Sequence, residues 1–225
     1  MHIEPGVVNG AKIVLSYATA VGAGLYALKL TADTLRKQGV ASLAARTAAT
    51  TTAVFSFFEI LPHVSVGVSE VHFIFGSTLF LIFGAAPAAL GLALGLLLQG
   101  LFFVPTDLPQ YGMNVTTILV PLFAIAALSQ RIIPRDTAYV DLHYRQALSL
   151  SSAYQAGIVA WVAFWALYGQ GFGAQNLQSI ATFGGAYMTV ILIEPLVDLA
   201  VLALAKSLRG LVSGALVTPR LHHAG

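Results

Sequence analysis

Val71–Val104 reads VHFIFGSTLFLIFGAAPAALGLALGLLLQGLFFV, a stretch with no Asp, Glu, Lys or Arg. Ala147–Ile193 is free of charge in the same way. Stretches of this kind can lie in a hydrocarbon core about 30 Å thick. Across the 225 residues the hydrophobic share is 57%, the charged share 9% and the mean hydropathy +0.82, whereas soluble domains carry about a quarter charged residues. The chain is therefore a membrane protein. Its apolar runs lack the strict alternation of an outer-membrane barrel, and a backbone in lipid must satisfy its own polar groups, so the spans are helices. The fold class is an all-α, polytopic membrane helix bundle.

Glycine, proline and the rare charges punctuate about seven spans: Ile13 to Thr31, Thr47 to Leu61, Val71 to Gly84, Pro87 to Val104, Met113 to Leu128, Ser152 to Tyr168 and Ser179 to Leu204. The second and third are short for a perpendicular crossing. They are expected to extend into flanking sequence or to sit where the bundle is irregular. Cationic residues orient the chain, because cytoplasmic loops retain Lys and Arg. Lys29, Arg36, Lys37 and Arg46 gather around the first loop, Arg131, Arg135 and Arg145 in the fifth, and Lys206, Arg209 and Arg220 after the last span. The loops around Pro62 to Glu70, Pro105 to Gly112 and Gly169 to Gln178 contain none. The N-terminus therefore faces outward and the C-terminus the cytoplasm of a bacterial or archaeal cell. The chain reads as one transmembrane domain, 1–225, with an N-terminal segment 1–12 and a cytoplasmic tail 205–225.

No cleavable signal is evident at the start, and Met1 is expected to be retained because His2 is large. Met1-His2 offers three nitrogens to one ion: the α-amine, the backbone nitrogen of His2 and its imidazole. An all-nitrogen set of this shape suits Ni(II), Cu(II) or Co(II) better than Mg or Ca. With no cysteine in the chain, any metal site is built from nitrogen and oxygen. His63 and His72 fall on the same outer side. Ser69 is expected to cap the third helix, placing His72 in its first turn and facing inward. His143, His222 and His223 fall on the cytoplasmic side as solvated surface residues. The pI near 9.0 reflects cytoplasmic loops meeting anionic lipid, not nucleic acid.

Met1-His2-Ile3 with Gly6, the segment from Gly67 to His72, Gln99 in a Leu-rich span and Gly112-Met113-Asn114-Val115 together resemble the CbiM/NikM family. Its members are substrate-capture components of energy-coupling-factor (ECF) ABC transporters for cobalt and nickel. The resemblance implies an N-terminus inserted into the bundle and a metal held by the Met1 amine, the His2 backbone nitrogen and imidazole, and His72. It also implies import of Co(II) or Ni(II) as substrate, with cobalt favoured through cobalamin biosynthesis, and partners comprising a transmembrane coupling subunit, ATP-binding subunits and a small accessory membrane subunit. This chain departs from the family by Glu4-Pro5 where Met-Glu is usual. It also has Ser69-Glu70-Val71-His72 where Ser-Gly-His is usual, which leaves His63 as an alternative fourth ligand. Asn114 is placed to bridge backbone groups of the inserted tail, and Glu4 and Glu70 to orient imidazoles as hydrogen-bond acceptors.

Gly91-Leu-Ala-Leu-Gly95 is a GxxxG suited to close helix packing, and Gly22, Gly24, Gly184 and Gly185 open further small-residue patches. Glu194 and Asp198 share a face of the last span and favour a rival function, a self-sufficient proton-coupled cation carrier. Late in that helix, they are also in position to pair with Arg131, Arg135 or Lys206. No zinc-protease helix, nucleophile elbow or phosphate loop is present, so the chain reads as a transport subunit and not an enzyme, without a cofactor.

Overall fold

The computed structural model describes residues 3–208 and 215–223; Met1, His2 and Arg209 lie outside the described residues. Five helical stretches are long and apolar enough to cross a membrane: Gly10–Ile60, Ala85–Phe102, Pro105–Ile132, Tyr144–Gln170 and Ala174–Ser207. The chain is an all-α membrane helix bundle carrying one small hairpin. Its elements are α1 (Val14–Ile60), β1 (Val64–Val66), β2 (Ser69–Val71), α2 (Gly76–Phe83), α3 (Ala85–Phe102), α4 (Tyr111–Ile132), α5 (Tyr144–Gln170), α6 (Ala174–Met188) and α7 (Glu194–Ser207).

Helix α1 contains a break at Gly39, where φ is 81° and ψ 166°, a conformation that glycine alone adopts without strain. The first loop expected between Thr31 and Thr47 is instead helical up to this break. Its residues, such as Leu35, Arg36, Lys37 and Gln38, are good helix formers with no proline among them, so the helix continues past the apolar run. The chain turns back at Gly39, and the Arg46 guanidinium meets the Gln38 amide across the turn. The second half of α1 then runs beside α3. A Cβ on Gly91 would lie 2.4 Å from the Thr50 side chain, and one on Gly95 would lie 2.6 Å from Val54. The GxxxG is thus a backbone-close seam inside this chain.

The third and last expected spans need correction. Residues from Val64 to Val71 form an antiparallel hairpin, with Val64 opposite Val71, Ser65 opposite Glu70 and Val66 opposite Ser69. Only Gly76–Phe83 is helical in the supposed third span, and eight residues of α-helix reach about 12 Å, far less than a bilayer core. Ser69 therefore lies in β2 and caps no helix, and His72 precedes α2 instead of opening it. The span expected from Ser179 to Leu204 divides into α6 and α7 around a 3-10 turn at Thr189–Leu192, with Pro195 in the first turn of α7. Proline is tolerated there because its missing N–H would have had no acceptor.

The C-terminal residues pack back onto the bundle. Thr218 N–H donates to the Ile82 carbonyl at 2.8 Å, and Arg220 donates to the Pro134 carbonyl at 2.9 Å while lying over the Tyr139 ring. Burial pushes the Tyr139 phenol above its ordinary range, and the Arg220 charge opposes this. His222 is buried, contrary to its reading as a solvated residue. His143 is exposed and caps α5 reciprocally with Gln146.

Replacing Gly91 by valine should overfill the α1–α3 seam and destabilise the protein by about 1–3 kcal/mol. Thermal unfolding in detergent should show this loss, while the same change at Gly22, which has open space around it, should leave stability nearly unchanged.

Candidate metal centre

The hairpin is where the N-terminal segment docks. Its strands are joined by the pair Gly67-Val68, and Gly67 has φ 64°. A side chain there would meet the Ser179 carbonyl at 2.2 Å. Glycine is needed for the turn and for seating the hairpin against α6.

The N-terminal segment docks on this hairpin. Ile3 forms an antiparallel bridge with Ser69, and Glu4 N–H donates to the Val68 carbonyl at 3.2 Å. Ile3 is 1% exposed, and its N–H donates to Asn114 Oδ1 at 2.9 Å. Asn114 stands in the first turn of α4, itself buried. Further along, the Lys12 ammonium donates to the Tyr168 and Gly169 carbonyls at 3.0 and 2.9 Å, closing the end of α5 over the segment. A Cβ on Gly169 would collide with the Val7 carbonyl at 1.9 Å. The segment from Ile3 to Lys12 is thus held by contacts from β2, α4 and the end of α5.

His72 follows β2 directly and is 2% exposed. Its Nε2 lies 2.8 Å from Glu70 Oε2. With Glu70 ionised, Nε2 carries the hydrogen, and the lone pair of the neutral ring is then on Nδ1. Phe58 packs edge-on against the ring, with centroids 5.5 Å apart. His63 is exposed and stacks on His72 with centroids 4.9 Å apart and planes 7° apart. A metal lies along a nitrogen lone pair, in the plane of the imidazole. Two stacked, nearly parallel rings aim their lone pairs along separate planes.

Among the described residues, no group of three or more His, Asp or Glu side chains is arranged to hold a metal ion. Of the expected ligands, His72 is buried directly after the hairpin on which the N-terminal segment docks, while Met1 and His2 lie outside the described residues. Glu70 touches the His72 ring. Glu4 Oε1 is buried and has no hydrogen-bond partner among the described residues.

Glu194 and Asp198 require a correction. They open α7 and do not end the span, and both are fully buried. Glu194 accepts from Phe75 N–H at 3.1 Å, Ser151 Oγ at 3.3 Å and the Gln155 amide. Asp198 accepts from Ser77 Oγ at 2.9 Å and from Thr78 Oγ1. Lys206 pairs instead with Asp141 at 2.5 Å, and Arg131 and Arg135 are exposed. The two carboxylates therefore grip the start of α2, where Phe75 is held at φ 53°, three residues after His72. Sequence reasoning missed the hairpin and this grip. The hairpin had a readable signal: Val64, Val66 and Val68 alternate with smaller or polar residues around Gly67.

The chain is thus a membrane helix bundle whose N-terminal segment docks on a hairpin that a buried histidine follows directly. The family described as CbiM, cobalt uptake substrate-specific transmembrane region, matches residues 2–211, and the chain belongs to it. It is a substrate-specific, multi-pass membrane component of a cobalt or transition-metal uptake system, and it is not an enzyme. The fold is similar to the crystal structure of a truncated transition metal transporter, at 18% identity and TM-score 0.62, covering 93% of this chain and 98% of that one. It is also similar to the crystal structure of a transition metal transporter, at 18% identity and TM-score 0.64, covering 93% and 94%. No curated protein matches the chain in sequence.

Replacing Asn114 by leucine would leave the buried Ile3 N–H without an acceptor, at a cost of about 1–3 kcal/mol. Amide exchange at Ile3 and Glu4 should then quicken about tenfold or more, and exchange in α3 should not change.

Proposed function

We propose that this chain captures Co(II) or Ni(II) from the outer side of the cytoplasmic membrane for ATP-driven import. The ion is bound by the Met1 amine, the His2 backbone nitrogen, the His2 imidazole and the His72 imidazole. The observation that carries this reading is the burial of Ile3 between Ser69 and Asn114. From that anchor the two preceding residues reach at most about 7 Å, which keeps their nitrogens near the hairpin that leads to His72. Such a set of nitrogens selects late first-row divalent metals over Mg and Ca. His72 is preferred to His63 as the fourth ligand because it is buried, oriented by Glu70 and followed by the anchored start of α2. The stacked His63 ring sends its lone pairs along a different plane.

The proposed topology has seven membrane passes, the third made by the non-helical residues 72–75 together with the short α2, with the N-terminus outside and the basic residues of the Gly39 turn and the C-terminal segment at the cytoplasmic face. Energy comes from separate ATP-binding subunits through a transmembrane coupling subunit, as the family resemblance implies. Glu194 and Asp198 support a second reading, a proton-coupled carrier, because both are buried and their hydrogen-bond partners among the described residues are neutral donors. Uptake by the lone chain in proteoliposomes under a proton gradient, abolished by Glu194→Gln, would favour it. Uptake that requires the ATPase subunits favours the capture subunit.

One residue added ahead of Met1 should displace the α-amine and weaken Co(II) and Ni(II) binding by about 100-fold or more. Calorimetry on purified protein measures this, and unchanged affinity would remove the amine from the site. His72→Ala should cost as much, and His63→Ala less than about tenfold. Because amine and imidazole bind only when deprotonated, affinity should fall as pH drops through the histidine range, from about 7.5 to about 5.5.

A further inference from the structure

At the opposite end of α3 lies a polar cavity of about 240 Å³, lined by Lys37, Arg46, Asp33, Thr218 and the first residues of α3. Arg46 is 1% exposed. Its three guanidinium nitrogens donate to the Ser42 carbonyl, the Phe83 carbonyl and the Gln38 side-chain oxygen, all of them neutral. Among the described residues these three acceptors use three of its five N–H groups and none carries a charge, and a buried cation without an anion is costly. Helix α3 begins at Ala85, and the amides of Ala85 and Ala86 precede the first intrahelical bond, from Ala88 N–H to the Gly84 carbonyl, which adds partial positive charge at the same place. Asp33 also lines the cavity, and among the described residues it forms no ion pair with Lys37 or Arg46 within 4.0 Å; two cations and one carboxylate leave one net positive charge.

Two apolar grooves rise from this level on either side of α3. One, of about 320 Å³, lies between the first half of α1 and α3, and includes Gly24, Ala27, Ala89 and Leu90. The other, of about 570 Å³, lies between the second half of α1 and α3, and includes Leu43, Ala44, Ala48 and Leu90. Leu90 lines both, and the polar cavity lies one turn below it at Ala86 and Pro87.

We infer that this end of the bundle binds one anionic phospholipid, its phosphate in the cavity with Arg46, Lys37 and the start of α3, and its two acyl chains in the grooves flanking α3. A cationic pocket between helices at the membrane edge matches a lipid phosphate. The grooves distinguish this ligand from a free phosphate or an acidic protein segment, which would leave both apolar surfaces without an occupant. The lipid would thereby tie the two halves of α1 together across Gly39. The inference rests on the cavity and the grooves and is independent of which ion is transported.

The full chain, purified in mild detergent, can be titrated with phosphatidylglycerol, phosphatidylcholine or inorganic phosphate and followed by native mass spectrometry and thermal unfolding. Wild type should retain phosphatidylglycerol at least about fivefold over phosphatidylcholine, gain thermal stability from it and gain none from phosphate. Lys37 is exposed, so Lys37→Ala should fold normally and lose most of that preference. Gly24→Leu, at a position with open space, should weaken retention of both lipids by filling one groove. Equal retention of the two lipids by wild type, stabilisation by phosphate alone, or unchanged binding in both variants would overturn the inference.

Discussion

A backbone amide carried below the surface of a membrane bundle has no water to bind, and every such amide needs a partner supplied by the fold. The N-terminal segment meets this demand on the hairpin: Ile3 bridges Ser69, Glu4 donates to Val68, and Asn114 takes the Ile3 N–H. Without a strand edge at that place, a non-helical chain end could not be buried there. The hairpin in turn depends on Gly67, which turns the chain and lies against the Ser179 carbonyl.

The same segment of chain reaches deeper into the bundle. After β2 it carries His72, turns at Phe75 and enters α2, whose start is gripped by Glu194 and Asp198. A left-handed conformation at a phenylalanine is unfavourable in isolation. Here the Phe75 N–H is bonded to Glu194, and the ring packs edge-on against Phe57 at 5.1 Å. The path from the hairpin to α7 is thus short and bonded at Phe75, Ser77 and Thr78, which fixes where His72 stands relative to the bundle.

The helical, membrane-bound character was legible because Val71–Val104 and Ala147–Ile193 contain no charge. Gly91 and Gly95 likewise announced the seam with α1, since two glycines one turn apart expose backbone on one face. The third span was misread because hydrophobicity alone does not distinguish a helix from an extended chain buried on all sides. Phe73, Ile74 and Phe75 are apolar, yet only the residues from Gly76 onward are helical. The helical turn around Arg36 and Lys37 was hidden by charge, which suggested a loop where the residues themselves favour helix. Glu194 and Asp198, late in the last expected span, suggest basic partners for the same reason. Their hydroxyl and amide partners come from α2 and α5, more than 35 residues away, and no local pattern reveals such pairings.

The central claim is that the inserted N-terminal segment brings nitrogen ligands to one ion beside His72. X-ray absorption at the metal edge of the Co(II)- or Ni(II)-loaded protein tests it most directly. The account predicts a first shell dominated by nitrogen at about 1.9–2.1 Å, with the outer-shell scattering of two imidazoles. A six-coordinate shell of oxygen, with no imidazole scattering, would contradict it.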